Sequence, residues 1–185
     1  MTLLILGLIL WVGAHFFKRL MPEQRARMDD AGKGIVALLV VASLILIIIG
    51  YRWADFIPVW SPPEFFKHLV GPIMLLAFWI YGSSAAKGAK AWPAYKLRHP
   101  QLLAVKIWAA AHLLANGDLA SILLFGTMLV WAGVTVMLVN RAEPHWVAPA
   151  PAGQKTYIRL SIITLLLFTI VVAIHTYLGV PPFGG

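Results

Sequence analysis

Cysteine is absent from the 185 residues. That one absence removes disulfides, thiolate metal sites, iron–sulfur clusters and the CxxCH attachment of a c-type haem. Acidic residues are scarce too, seven Asp and Glu in all, and no pair of them stands inside a long apolar run. GxSxG, P-loop and HExxH patterns are missing, so the usual hydrolytic and phosphoryl-transfer machinery is excluded. There is no long polar tract and no Gly/Ser linker, which excludes disorder and a separate soluble domain.

Charged residues make up 12% of the chain and hydrophobic ones 61%, with mean hydropathy +0.83. A soluble domain carries roughly 25% charged residues, so the composition is that of an integral membrane protein whose first partner is the lipid bilayer. Fifteen Lys and Arg give a net charge of +8. In a soluble chain that excess would raise nucleic acid as a partner. Here the basic residues stand in short loops between apolar runs, where insertion requires them, and no nucleic acid is expected. The apolar start at Met1, with no basic segment before it and no small-residue cleavage site after it, predicts an uncleaved first span.

Matching uncharged runs to the ~20 residues that cross a bilayer predicts an all-α, polytopic bundle of six transmembrane helices in one domain over 1–185. The spans are 1–17, 34–51, 69–86, 100–116, 119–140 and 160–177. Lys106 interrupts the fourth. It lies roughly 9 Å from the helix start at 1.5 Å per residue, close enough for its stem to snorkel to the headgroups. Pro100 suits a first-turn position. Gly117 is expected to take a left-handed C-terminal conformation and Asp118 to cap the next helix, closing a tight antiparallel hairpin. Prolines mark loops at 61–63 and 148–152, and Pro181-Pro182 is expected to end the last helix. Thirteen basic residues fall in or beside odd-numbered loops against two, Arg52 and Lys67, in the second. This bias puts the odd loops in the cytoplasm and both termini outside, in the periplasm of a bacterial inner membrane.

An ionisable group inside a span is a functional candidate. His15 lies near the inner end of the first span and His112 within the fourth, and each has a tryptophan four residues earlier, Trp11 and Trp108. That spacing puts an aromatic plate one turn from an imidazole on the same helical face. Such a stripe serves an interhelical seam as well as a cofactor. Asn116 extends the second stripe, beside small residues at Ala104, Ala111 and Ala115 that admit a helix or a flat cofactor. His68, His145 and His175 read as interfacial, and His99 precedes Pro100 at the inner surface. Imidazoles without cysteine or buried carboxylate leave iron or copper ligation and proton relay as chemistries.

The stretch 98–118, RHPQLLAVKIWAAAHLLANGD, together with GLILWVGAHFF near the N-terminus, Pro22 and Arg25, resembles the NnrU family of bacterial membrane proteins over nearly the whole chain. The resemblance implies an inner-membrane protein associated with nitrite and nitric oxide reduction. Nitric oxide or nitrite reductase components are then the implied partners. The 15-cis-ζ-carotene isomerase of plants and cyanobacteria is similar in the same motif and uses non-covalent haem b with two histidine ligands. Carried over, those ligands fall on His15 and His112; a haem held there is expected to have Trp11 and Trp108 against the porphyrin and Arg25, Arg27 and Arg98 near its propionates. That relative has a cysteine where this chain has Ala109, so an imidazole-to-thiolate switch is unavailable. By depth along straight helices His99 pairs more naturally with His15, and His68 or His175 with His112. The family pair stands first and His99 third. Three functions follow: a haem-b protein in a redox or accessory role in denitrification, a haem-dependent isomerase of a lipophilic, carotenoid-like substrate, and a cofactor-free scaffold for a reductase.

Overall fold

The structure is a computed structural model and describes residues 1–180 and Pro182. Among these residues seven helices follow in order: α1 (Thr2–Leu20), α2 (Pro22–Arg27), α3 (Asp29–Arg52), α4 (Phe65–Ser83), α5 (Pro100–Ala115), α6 (Leu119–Ala142) and α7 (Gln154–Tyr177). Among the described residues there is no strand beyond two isolated bridges. Among the described residues five helices are long and apolar enough to cross a membrane. The sixth apolar helix, α5, has 16 residues, about 24 Å at the usual rise, which falls short of a full hydrocarbon core. The expected helical membrane bundle is what the chain forms, with α5 as its short member.

The helices overrun the uncharged stretches. α1 continues through Lys18 and Arg19 to Leu20, α3 begins at Asp29 and α7 at Gln154, whereas α4 stops at Ser83. A charge limits how deep a residue sits, and it does not end a helix. Lys18 and Arg19 occupy the last turn of α1 and Asp29 and Asp30 the first of α3, the ends that the helix dipole favours for each sign.

The chain divides into two compact units. The first holds Met1–Trp60 and Asp118–Thr127, and in it α1 packs on α3. Glycines set that contact: a Cβ on Gly7 would lie 2.8 Å from the Ile47 backbone nitrogen, and one on Gly50 would run into the backbone of Leu3 and Leu4. Backbones therefore approach directly, the arrangement small residues permit between membrane helices, around buried Leu4, Leu8, Ala14 and Ile47. Asp118 caps α6 as expected. Its Oδ1 accepts from the Ser121 N–H at 2.9 Å and its Oδ2 from the Ser121 hydroxyl at 2.6 Å. With that proton committed, the Tyr51 hydroxyl donates to Ser121 Oγ at 2.8 Å.

The second unit holds Ser61–Gly117 and Met128–Gly185, and in it α4 packs on α5 and α7. The C-terminal end of α4 is closed by the following loop: Lys90 Nζ donates to Ser84 O at 2.8 Å and to Ala86 O. The Lys90 backbone pairs with the 150–152 segment through Lys90 N–H to Ala150 O and Ala152 N–H to Lys90 O, both 2.8 Å. α7 ends before the expected prolines, of which Pro181 lies outside the described residues. Gly179, at φ 77, is the stop: its N–H reaches Thr176 O and the Val180 N–H reaches His175 O, the two bonds of a Schellman motif.

Candidate functional site

His15 and His112 are arranged alike. His15 Nδ1 lies 2.8 Å from Trp11 O and His112 Nδ1 2.9 Å from Trp108 O. A carbonyl oxygen only accepts, so Nδ1 carries the proton in both rings and the neutral imidazole has its lone pair on Nε2. Each ring lies against its tryptophan as the spacing predicts, with centroids 4.1 Å apart and planes at 34° for Trp11 and His15, and 5.3 Å and 53° for Trp108 and His112. Fixing the tautomer through a carbonyl on the far nitrogen is how histidine ligands are oriented in metal sites.

His175 has the same lock, Nδ1–H to Val171 O at 2.8 Å, although no tryptophan precedes it by a turn. It also shares a cavity with His112. This space, of about 230 Å³, lies among α4, α5 and α7 and is lined otherwise by apolar side chains, Met74, Phe78, Trp108 and Phe168 among them. The sequence placed His175 at the depth of His112 and at an interface; only the packing of α4 on both α5 and α7 reveals the common cavity.

The remaining candidates do different work. His99 precedes α5 and gives its Nε2–H to Asn140 Oδ1 at 2.7 Å, the opposite tautomer. It is thirteen residues from His112 along one helix, about 20 Å, and the structure does not bring the two together. Arg98 donates to Glu143 O, so the RHPQ segment ties the start of α5 to the end of α6 and lines a separate cavity of about 340 Å³ with Lys90, Gln101 and Trp146. Arg25 donates to Asp29 O at 3.0 Å. His68 and His145 are exposed.

Asn116 proves to be the C-terminal cap of α5. Its backbone N–H and its Nδ2 both donate to His112 O, at 2.9 and 2.8 Å. This corrects the expectation for Gly117. The chain leaves α5 through extended Asn116, at φ −126 and ψ 121, and among the described residues the glycines at positive φ are Gly88 and Gly179. With Asn116 extended and both of its donors on the His112 carbonyl, the chain leaves the helix without a left-handed glycine.

The profile of the NnrU protein family matches residues 3–182. The chain belongs to the NnrU family. No curated protein and no solved structure matches it.

In this NnrU chain His15 in the first unit and His112 in the second each present an imidazole of the kind that haem iron takes. Among the described residues no three His, Cys, Asp or Glu side chains are placed to share a metal. Imidazoles with Nε2 as the lone-pair atom, each flanked by an aromatic plate, fit haem iron by donor chemistry. Ala109 is fully buried, and a methyl group there offers iron no ligand.

Proposed function

We propose that this NnrU protein is a b-type haem protein of the bacterial inner membrane, with both termini in the periplasm, serving denitrification or nitric oxide metabolism beside the reductases of nitrite and nitric oxide. One observation carries the reading: the His112 imidazole has its proton held on the Trp108 carbonyl, its lone pair on Nε2 and a tryptophan ring beside it. The resemblance gives the second imidazole to His15, which has the same tautomer and the same plate. Haem bound by two imidazoles supplies a one-electron carrier without an open coordination position. The chain's own part is to orient the rings, exclude water with apolar walls and neutralise propionates. Arg25, Arg27 and Arg98 are the cations for that last task. Arg25 and Arg98 each also donate to a backbone carbonyl, and a guanidinium has five N–H groups.

The thiolate exchange implied for the isomerase relative has no counterpart at Ala109, so electron transfer is favoured over isomerisation. Oxidised and reduced visible spectra of the purified protein test this. A Soret band with sharp reduced bands, unmoved by carbon monoxide, is expected. A carbon-monoxide-sensitive band would favour the isomerase reading, and a featureless spectrum the cofactor-free scaffold.

A further inference from the structure

The cavity shared by His112 and His175 is not the whole of the space between α4, α5 and α7. A second cavity of about 310 Å³ is lined by the same Met74, Phe78 and Trp108 and reaches Tyr81 and Leu167, both on the exposed surface of the helices. The first cavity alone is below the roughly 300–1,000 Å³ of small-molecule sites, and the two neighbours together fall inside that range. Their walls are aromatic and aliphatic. The first is lined by His175, whose position is fixed twice: Nδ1–H is held by Val171 O, and its carbonyl takes the Val180 N–H of the Schellman turn.

That fixed tautomer is selective. With the proton on Nδ1, the neutral His175 ring offers the cavity an Nε2 acceptor and no donor. A ligand that brings only carbonyl or ether oxygens finds no donor on His175, and a buried polar atom left without a partner there costs affinity. A ligand that brings a hydroxyl on a flat apolar body is matched by the acceptor at one end and by Phe78, Trp108 and Phe168 along its faces. Tyr81 and Leu167 put the other end of the slot where a lipid-soluble molecule arrives.

We propose that this slot binds a lipophilic hydroquinone, with a ring hydroxyl donating to His175 Nε2. The inference goes beyond the haem reading: its acceptor is His175, while His112 and Trp108 of that reading line the same cavity. The test is anaerobic equilibrium binding of radiolabelled decylhydroquinone and of its dimethyl ether to the full chain in lipid nanodiscs, with dithionite present so that any haem is already reduced. The hydroquinone should bind at least tenfold more tightly than the ether. His175→Leu should remove that preference while leaving ether binding unchanged, and His175→Gln, which keeps an acceptor oxygen, should retain the preference within about threefold. Equal affinity of the two probes, an unchanged preference in His175→Leu, or equal loss of both probes in that variant would each overturn the proposal. The haem spectrum is read on the same sample: a haem-free chain that still prefers the hydroquinone removes the haem reading and leaves this one standing.

Discussion

A histidine in a helix is able to carry its proton on either nitrogen, and for His15, His112 and His175 the carbonyl one turn back decides which. His145 is exposed in a loop, so His145→Ala should leave any haem spectrum unchanged, whereas His15→Ala should convert a six-coordinate spectrum to one that binds carbon monoxide. Visible spectroscopy of the two variants checks both. The tryptophan plates were legible in the sequence because a four-residue spacing on a helix dictates contact. The companionship of His112 and His175 was not, because it depends on how α5 and α7 meet α4. The end of α5 was misplaced by one residue: glycine is the common helix stop, so Gly117 is the expected one, whereas two hydrogen bonds from Asn116 to His112 O put the cap at Asn116.

Helix ends carry the next predictions. Asp118 satisfies the Ser121 N–H and hydroxyl at the start of α6. Asp118→Ala should therefore cost about 1 kcal/mol, the usual worth of such a cap, and Asp118→Asn much less. Thermal unfolding in detergent reads the difference. Loss of haem or activity in a stably folded Asp118→Asn variant would instead assign the carboxylate a charge or proton role. At the other end of the bundle's chain, Gly179 holds φ 77 with open space around it. Gly179→Ala should cost roughly 1 kcal/mol through backbone conformation alone, measured as a lowered Tm. Within α3, Gly50→Leu should separate α1 from α3, since a Cβ at Gly50 meets the Leu4 backbone. Element identity was readable from hydropathy, and element boundaries were not. Charged residues such as Lys18, Asp29 and Lys155 continue helices into the interface, where water solvates their charges and the backbone bonds persist.

For the molecule as a whole, the apolar helices and the basic loops together predict the topology. The absence of cysteine makes that directly measurable, because any introduced thiol is the only one. Single cysteines at Ser61 should be labelled from outside by an impermeant maleimide in intact spheroplasts, and at Gly153 only after lysis, as the thirteen-to-two basic bias requires. α5 is the element at stake. With 16 residues it spans only if the bilayer thins or Lys106 snorkels, and if it does not cross, Gly153 becomes accessible from outside.

The proposed role of His112 as a haem ligand is tested by the haem content of purified wild-type and His112→Ala protein, measured as pyridine haemochrome per chain. Haem is expected in the wild type, and its loss, or depletion by at least tenfold, in a His112→Ala variant that remains folded. Undiminished haem in that variant, or none in the wild type, would contradict it.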